Sequence, residues 1–234
     1  MNAVDTAMIL AAGFGTRMGA LTNDRPKPLL KAGGRTLIDR VLDHVASAGL
    51  TKAVVNLHYK GDQIRHELSE RAAPEIVFSE EHPDILDTGG GVVHALPKLG
   101  RNPFVTINSD AVFIGPNPLQ ALLSAWNPAN HDALLLMTHV SNAMAYTRCG
   151  DFFLSADGDR PRRRGAAEIA PFVYSGAQII APGVFSNAPA GPFSTNIIWD
   201  RLLSEGRLAA VEYTGQWIDV GTPDGLEIAD KALT

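Results

Sequence analysis

Short apolar runs alternate with amphipathic segments along the first part of the chain. AMILAA (7–12) is a nearly continuous apolar run, which is typical of a strand covered on both faces. In TLIDRVLDHVASAG (36–49) the apolar residues instead recur at helical spacing. Thr36 followed by Asp39 resembles a capping box, and Gly49 suits a helix C-terminus. The first two predicted elements are therefore a buried strand and an amphipathic helix.

The same alternation continues to about residue 140. Predicted strands cover 52–58, 75–80, 103–110 and 133–139, and predicted helices cover 61–70, 89–99 and 118–126. Helices that regularly separate strands predict a parallel α/β sheet with right-handed crossovers.

The pattern changes in the rest of the chain. DFFLSADGDRPRRRG (151–165) predicts a strand, a turn at Asp157-Gly158 and a polar loop, and PFVYSGAQIIAP (171–182) predicts a strand with a Ser-Gly break. A helix over 196–206, short strands within LAAVEY and QWIDV, and a last helix from Thr222 complete the chain. Because no linker or repeat interrupts it, we expect the second half to extend the same sheet.

Composition and charge exclude several classes of protein. The 234 residues are 45% hydrophobic and 19% charged, which is ordinary for a globular chain. A net charge of −5 provides no field to hold nucleic acid or an anionic membrane. One cysteine, Cys149, cannot form an internal disulfide, and no apolar run reaches the roughly 18 residues of a spanning helix. The first residues lack the positive region of a signal peptide, so a cytoplasmic protein is expected.

The loop after the first strand is suited to phosphate. In a parallel sheet, ligands bind beyond the carboxyl ends of the strands, where AAGFGTRM (11–18) is expected to lie. Its glycines allow backbone N–H groups to approach a ligand closely, and Arg17 supplies a permanently charged planar fork. The alternative is a glycine-rich turn that only connects two elements.

Two other phosphate-binding loops fit less well. Gly13, Gly15 and Gly19 give G-x-G-x-x-x-G, which lacks the third-glycine spacing of a dinucleotide fold, and no acidic residue ends the second strand. The G-x-x-x-x-G-K-[ST] pattern of a Walker loop is absent from the sequence. A nicotinamide dehydrogenase is therefore disfavoured.

A second cation follows about ten residues later. In RPKPLL (25–30), Lys27 stands between Pro26 and Pro28, which stiffen the segment. Lysine as a point charge and arginine as a fork together suit a triphosphate. Alone, the segment could also be a proline-rich surface loop.

These motifs together resemble a known family. L-A-A-G-x-G-T-R-M, P-K-P-L, a T-G-G-G segment, a strand that ends in N-S-D and a late W-I-D-V-G-T are similar to those of the sugar-1-phosphate nucleotidyltransferases. The resemblance runs from Ala7 to the last helix. It implies a single Rossmann-like α/β domain over 1–234, with a mixed, mostly parallel central sheet flanked by helices. Residues 1–140 would bind the nucleotide and residues 141–234 the sugar.

The resemblance also implies roles for individual residues. The nucleotide and its phosphates would be bound by Ala11, Ala12, Gly13, Gly15, Thr16 and Arg17, with Gly89 and Gly90 against the nucleobase. Lys27 would meet the reacting phosphate, and Arg17, Lys27 and Asp110 would be the catalytic residues. Asp110 and Asp219 would bind Mg²⁺, which accepts one or two carboxylates beside water and phosphate oxygens. Strand-end turns are the alternative reading of both acids.

The expected reaction needs no protein nucleophile. A sugar 1-phosphate is already anionic at neutral pH, so the task is to bring two anions together and to stabilise the charge that moves onto pyrophosphate. The seven histidines form no triad or metal-ligand spacing. His58 and His94 are therefore interpreted as neighbours of the site or surface groups. The expected partners are a nucleoside triphosphate and a sugar 1-phosphate, for a monomer or small homo-oligomer.

Five residues resemble the sugar-binding positions of this family. Asp151 lies in CGDFFL, Ser175 and Gly176 lie in FVYSG, and Asn142 and Asn196 are weaker candidates. Turns, a strand break and helix caps are the structural alternatives.

One departure concerns the phosphate of the sugar. Many relatives carry a Glu-Lys-Pro whose lysine meets that phosphate, whereas ADGDRPRRRG (156–165) contains no lysine. Arg162, Arg163 and Arg164 are candidate replacements, although an arginine run is also typical of a solvated surface.

The resemblance favours N-acetylmuramate-1-phosphate uridylyltransferases, and a mannose-1-phosphate guanylyltransferase is the close alternative. A cytidylyltransferase that acts on phosphocholine or a polyol phosphate shares the nucleotide half. A regulatory relative that binds nucleotide sugars without catalysis is the alternative of a different class, but retention of the two cations and two acids argues against it.

Overall fold

The computed structural model describes residues 4–234. The prediction that no signal peptide is present concerned the first residues of the chain, and residues 1–3 lie outside the described range. The strands are β1 (Thr6–Leu10), β2 (Lys31–Ala32), β3 (Arg35–Thr36), β4 (Lys52–Leu57), β5 (Glu75–Glu80), β6 (Phe104–Asn108), β7 (Ala111–Ile114), β8 (Ala133–His139), β9 (Ala143–Met144), β10 (Phe152–Leu154), β11 (Pro161–Arg163), β12 (Phe172–Ile180), β13 (Leu208–Tyr213) and β14 (Gln216–Asp219). The α-helices are α1 (Leu37–Ser47), α2 (Gly61–Glu67), α3 (Asp87–Leu99), α4 (Pro118–Ala125), α5 (Asn196–Ser204) and α6 (Pro223–Ala232).

Within residues 4–234, nine strands form one sheet. β6, β1, β4 and β5 are neighbours in that order and run parallel. β12 is antiparallel to β6 on one side and to β8 on the other, and β13 then pairs with β8 in parallel. The predicted mixed, mostly parallel α/β sheet is confirmed. The division at residue 140 stays a prediction, since β12 joins both halves in one sheet.

Helices cover both faces of the sheet because successive residues of a strand point to opposite sides. Ile9 in β1 is buried in one hydrophobic cluster together with Val41 of α1. The preceding residue, Met8, is buried in a second cluster together with Val92 of α3 and Trp199 of α5. Because neighbouring residues of β1 are buried in different clusters, one on each face of the sheet, the strand is a continuous apolar run.

The N-cap predicted for the first helix is present, although the Asp39 carboxylate bonds the Thr36 hydroxyl and not the backbone N–H that a capping box uses. The Thr36 hydroxyl accepts a hydrogen bond from the Asp39 backbone N–H at 3.3 Å and donates one to the Asp39 carboxylate at 2.7 Å. Gly49 follows the helix with φ +83°, a conformation that favours glycine. Sequence and structure therefore agree on both ends of α1.

The break predicted in the 171–182 strand is a bulge. The pairing of β12 with β8 changes register between Tyr174 and Gln178, and Gly176 there has φ +85°. Gly176 consequently lies against Asn108 at the carboxyl end of β6.

Five short strands were missed by the periodicity, namely β2, β3, β7, β9 and β11. β7 and β9 both pair with β14, which was predicted within QWIDV, and the antiparallel pairing of β14 with β7 places Asp219 opposite Ala111. The polar loop predicted after Asp157-Gly158 is partly wrong, because residues 161–163 form β11 of a hairpin with β10. These strands are too short for a period of two to be recognised. In the described part of the chain, no helix is long and apolar enough to span a membrane.

Candidate active site

Two cavities lie side by side at the carboxyl ends of β1 and β6. The first has a volume of about 310 Å³ and the second about 380 Å³. The residues that line both are Leu10, Arg17, Asp87, Thr88, Asn108 and Asp110. We call these six residues the shared edge. A ligand group held there is in reach of both cavities.

The glycine loop predicted to bind the nucleotide forms one side of the first cavity. Ala11, Ala12, Gly13, Gly15, Thr16 and Arg17 all line it. Gly15 has φ +66°, and a Cβ there would lie 3.0 Å from the Cβ of Lys27. Glycine at position 15 thus allows the loop to turn and to approach the P-K-P segment closely.

Lys27 and Asp110 meet at the shared edge although 83 residues separate them. The Lys27 ammonium donates a hydrogen bond to Asp110 Oδ2. The Lys27 side chain is 10% exposed and that of Asp110 is 30% exposed, so the pair is only partly open to water. An ammonium has three donors, which leaves two for a ligand.

Arg17 and Asp219 converge at Gly221. A Cβ at Gly221 would lie 2.8 Å from Arg17 Nη1 and 2.9 Å from Asp219 Oδ1. The pairing of β14 with β7 also brings Asp219 opposite the residue that follows Asp110. Glycine at position 221 therefore allows the predicted catalytic arginine and the second predicted metal acid to approach each other.

The two acids suit a cation that is shared with a ligand. Asp110 and Asp219 both line the second cavity, and each also accepts a hydrogen bond from a cationic side chain. Among the described residues, no group of three or more His, Cys, Asp or Glu side chains forms a metal cluster. Magnesium is commonly held by one or two carboxylates plus phosphate oxygens. The donor set fits such an ion rather than one enclosed by protein ligands.

A buried pair of polar side chains holds the start of the glycine loop. Asn56 and Glu81 line the first cavity and are 4% and 0% exposed. Asn56 Oδ1 accepts a hydrogen bond from the Ala11 N–H at 2.6 Å, while Asn56 Nδ2 donates to Glu81 Oε1 at 2.6 Å. Glu81 Oε2 accepts from the Leu86 N–H at 2.8 Å. The pair thus fixes the backbone at the start of the loop.

Gly89 and Gly90 line neither cavity. Their N–H groups donate to the Phe193 carbonyl at 2.8 and 3.2 Å. A Cβ at Gly89 would enter the Phe193 ring, and one at Gly90 would lie 2.6 Å from the Gly191 carbonyl oxygen. Helix α3 needs these glycines to pack against the 191–193 loop, and the neighbouring Asp87 and Thr88 reach the cavities instead.

The second cavity contains most of the predicted sugar residues. Asp151 lines it and accepts a hydrogen bond from the Tyr174 N–H at 3.2 Å. Ser175 lines it too, but its buried hydroxyl donates to the Leu136 carbonyl at 3.0 Å and is not directed at a ligand. At Gly176 a Cβ would lie 2.9 Å from Asn108 Nδ2. The bulge of β12 therefore presents backbone to the cavity.

The two predicted asparagines have different positions. Asn196 lines the second cavity at the start of α5, and its Oδ1 accepts a hydrogen bond from Arg163 Nη2 at 2.8 Å. Asn142 lies in a short 3₁₀ turn (Val140–Asn142) and lines neither cavity. Asn142 was predicted as a weaker sugar-binding candidate. In the structure the connection between β8 and β9 places it outside the cavity.

The arginine run does not reach the site. Arg162 stacks over the Phe153 ring at 4.5 Å, Arg163 bonds Asp200 and Asn196, and Arg164 donates to the Ala167 carbonyl at 2.6 Å. None of the three lines either cavity. The cation that replaces the missing lysine must therefore be a residue other than these three arginines.

Tyr174 lines the second cavity, whereas His58 and His94 lie outside both cavities. Burial raises the pKa of Tyr174, which lines the second cavity, so its phenol stays neutral. His58 Nδ1 is hydrogen-bonded to the Glu81 carbonyl at 2.9 Å, and neither His58 nor His94 lines a cavity.

Sequence reasoning missed several residues of the site. Asn56, Glu81 and Arg148 line the cavities, yet none lies in a motif with a recognised pattern, and Asn108 lies in the N-S-D segment but was given no role. Asn108 ends the strand before Asp110, and a polar residue at that strand end was a usable signal. Arg148 gave no signal, since its place depends on the path of the chain after β9.

The model of the MobA-like NTP transferase domain matches residues 7–174, which include the loop, Lys27, Asp110 and Asp151. The chain belongs to this family.

Two relatives show which kind of NTP transferase the chain is. It is 42% identical over 97% of its length to the N-acetylmuramate alpha-1-phosphate uridylyltransferase of Caulobacter vibrioides, and the match covers 96% of that protein. It is 35% identical over 92% of its length to the protein of that name from Neisseria meningitidis serogroup B, of which 93% is covered. The chain is a sugar-1-phosphate nucleotidyltransferase, as its motifs suggested.

A solved structure shares the fold of this NTP transferase. HddC from Yersinia pseudotuberculosis, complexed with GMP-PN, superposes with a TM-score of 0.79 over 99% of this chain and 100% of that one. The sequences are 21% identical, so the comparison supports the architecture alone.

Proposed function

We propose that this nucleotidyltransferase joins UTP to N-acetylmuramate 1-phosphate, with release of pyrophosphate. The observation that carries the proposal is the shared edge, where Arg17 and Asp110 line both cavities. The choice of these two substrates is supported by the names of relatives that are 42% and 35% identical.

The nucleotide occupies the first cavity in this proposal. Its phosphates lie against the backbone of Gly13, Gly15 and Thr16, where N–H groups can approach oxygen without an intervening side chain. Gly89 and Gly90 act at a distance from the base, through the packing that positions Asp87 and Thr88.

The sugar occupies the second cavity. Asp151 and Asn196 offer side-chain oxygens and an amide to its hydroxyl groups, and Ser175 and Gly176 contribute backbone. Asn142 takes no part in this arrangement. The phosphate of the sugar then lies at the shared edge beside the α-phosphate of UTP.

The reaction is a displacement at the α-phosphorus. An oxygen of the sugar phosphate forms a bond to that phosphorus while the bond to the bridging oxygen of the pyrophosphate breaks. Both reactants are anions, so the protein must hold them close and offset their charges. Arg17 and Lys27 supply two positive charges at the shared edge, and no residue needs to remove a proton.

Asp110 and Asp219 would hold a divalent cation, for which Mg²⁺ is the natural choice. Bound there, the ion supplies charge neutralisation for phosphate oxygens. Asp110 would then contact both the ion and the Lys27 ammonium.

The decisive experiment is a pyrophosphate-release screen with Mg²⁺. UTP, CTP, GTP, dTTP and ATP are each tested with N-acetylmuramate 1-phosphate, N-acetylglucosamine 1-phosphate, mannose 1-phosphate, phosphocholine and a polyol phosphate. We expect the highest turnover with UTP and N-acetylmuramate 1-phosphate, and a preference for N-acetylglucosamine 1-phosphate would change the acceptor in the proposal. Preference for GTP and mannose 1-phosphate would replace the proposal with a guanylyltransferase, and preference for CTP with an acceptor that is not a sugar phosphate would make the chain a cytidylyltransferase.

Asp110→Asn provides the matched control in that screen. It keeps the size of the side chain and removes the charge, so turnover should fall roughly 10²- to 10³-fold. Nucleotide-sugar binding without turnover by the unaltered protein would indicate a regulatory relative.

A further inference from the structure

The second cavity has few cations. In the described part of the chain, Arg17 and Arg148 are the basic residues that line it. Arg17 belongs to the shared edge and faces the triphosphate as well. A sugar 1-phosphate brings up to two negative charges of its own, which makes Arg148 the cation available to the acceptor alone.

Arg148 is restrained by a neighbouring aromatic ring and remains accessible. Its guanidinium lies over the Tyr146 ring at 4.8 Å, and the Tyr146 hydroxyl accepts a hydrogen bond from the Gly150 N–H at 3.0 Å. The ring is therefore fixed and limits the freedom of the arginine. The Arg148 side chain lines the second cavity and is still 61% exposed, so it remains accessible to a ligand there.

Arg148 also lies next to the reacting groups. Its Nη2 donates to Asp219 Oδ2 at 3.2 Å. The other oxygen of Asp219 faces the same Gly221 position as Arg17 Nη1. Arg17, Asp219 and Arg148 thus form a row that leads from the shared edge into the second cavity.

We propose that Arg148 binds the phosphate of the sugar 1-phosphate. The inference rests on the proposed function and names the residue that fixes the acceptor phosphate for attack. A guanidinium bonded to Asp219 by one nitrogen retains further N–H donors, and its planar fork matches two phosphate oxygens.

The position of Arg148 favours the phosphate over another anion on the sugar. N-acetylmuramate carries a carboxylate far from its anomeric carbon, whereas the acceptor phosphate must lie beside Asp110 and Asp219. Arg148 contacts Asp219 itself. We therefore assign it to the phosphate and not to the carboxylate.

The test compares Arg148→Ala, Arg148→Lys and Arg162→Ala. Arg162 is a matched control, since it also stacks on an aromatic ring in the same half of the chain but lines neither cavity. For each variant, KM is measured for UTP and for two acceptors, N-acetylmuramate 1-phosphate and N-acetylglucosamine 1-phosphate. A second readout is calorimetric binding of each acceptor to protein saturated with a non-hydrolysable UTP analogue.

Loss of one charge-assisted contact should raise the acceptor KM of Arg148→Ala about 10- to 100-fold, with a parallel loss of binding. The KM for UTP should stay within about threefold of the unaltered value. Arg148→Lys should recover part of the effect, because it keeps the charge without the fork. Arg162→Ala should match the unaltered protein.

Other outcomes overturn the inference. An unchanged acceptor KM, or an equal rise for UTP and acceptor, would show that Arg148 does not hold the acceptor phosphate. An effect confined to N-acetylmuramate 1-phosphate would assign Arg148 to the carboxylate. If the unaltered protein used neither acceptor, the proposed function would fail first, whatever the variants did.

Discussion

The two cavities differ in how the chain builds them. The first is formed largely by a continuous loop after β1, which offers backbone, and by Lys27 in the next segment. Beyond the shared edge and Ala111, the second is assembled from four separated segments, around residues 148–152, 174–178, 194–199 and 217–220. A site made of contiguous backbone leaves a motif in the sequence, whereas a site made of distant side chains leaves isolated residues.

The same difference suggests a division of tasks. Phosphate groups are common to all nucleoside triphosphates, so a backbone loop suits them without regard to the base. Sugars differ in the positions of their substituents, and side chains from several elements can change one at a time. The first cavity should therefore tolerate few substitutions, and those in the second should alter the acceptor preference.

The largest effect is expected where the cavities meet. Lys27→Ala and Asp110→Asn each remove one charge at the shared edge, and kcat should fall roughly 10²- to 10³-fold for every pair of substrates. Both variants should unfold at nearly the same temperature as the unaltered protein. Pyrophosphate release and thermal unfolding check the two parts.

Lys31→Ala is the control for Lys27, since Lys31 is exposed in β2. Turnover by Lys27→Ala at the level of Lys31→Ala would remove Lys27 from the catalytic assignment.

The next effect should be confined to the second cavity. Gly176→Ala places a Cβ 2.9 Å from Asn108 Nδ2 at a φ of +85°, which costs about 1–2 kcal/mol in a left-handed conformation. Overpacking against Asn108 should add about 1–2 kcal/mol in the second cavity beyond the strain, so we expect the acceptor KM to rise about 5- to 30-fold while the KM for UTP changes less. Steady-state kinetics with each substrate varied in turn separates the two constants.

Gly158→Ala is matched for backbone strain, because Gly158 has φ +77° with open space around it. If Gly158→Ala raised the acceptor KM as much, strain alone would explain the result and the contact with Asn108 would be irrelevant.

A smaller effect should be confined to the first cavity. Asn56→Ala leaves the Ala11 N–H and the buried Glu81 carboxylate without their partner. The free energy of unfolding should fall by about 1–3 kcal/mol, and the KM for UTP should rise about fivefold. Urea unfolding and kinetics provide the measurements, with Asn130→Ala, an exposed turn position, as control. A rise in the acceptor KM instead would contradict the separation of the cavities.

The smallest effect should involve neither cavity. Burial and the nearby Arg207 lower the pKa of His131 below its usual 6.5, so the folded protein binds that proton less readily than the unfolded chain. The free energy of unfolding should therefore fall as the pH is lowered through 6.5, and His131→Gln should weaken this dependence. Urea titrations at several pH values test it. An identical pH profile in the variant would exclude His131 as a source.

Local sequence signals were sufficient for much of the fold. The caps of α1, the strand 75–80 and the break in β12 follow from capping, alternation and glycine placement. They could not identify β7 or β9, which are short and form only through pairing with β14.

The site shows the same limit. Lys27 and Asp110 are found through motifs, although their contact spans 83 residues. Arg148 and Glu81 could not be found, because an arginine in a loop and a glutamate after a strand are ordinary until the chain folds around them. Gly89 and Gly90 carry a recognisable motif, but their close packing on Phe193 and Gly191 depends on a distant loop.

The arrangement of two cavities around one shared edge can be tested by a crystal structure of the protein with Mg²⁺ and UDP-N-acetylmuramate, the product of the proposed reaction. We expect uridine in the first cavity, the sugar between Asp151 and Gly176, and the diphosphate at the shared edge beside Arg17 and Asp110. Base and sugar bound together in one cavity, or a diphosphate remote from Arg17 and Asp110, would contradict it.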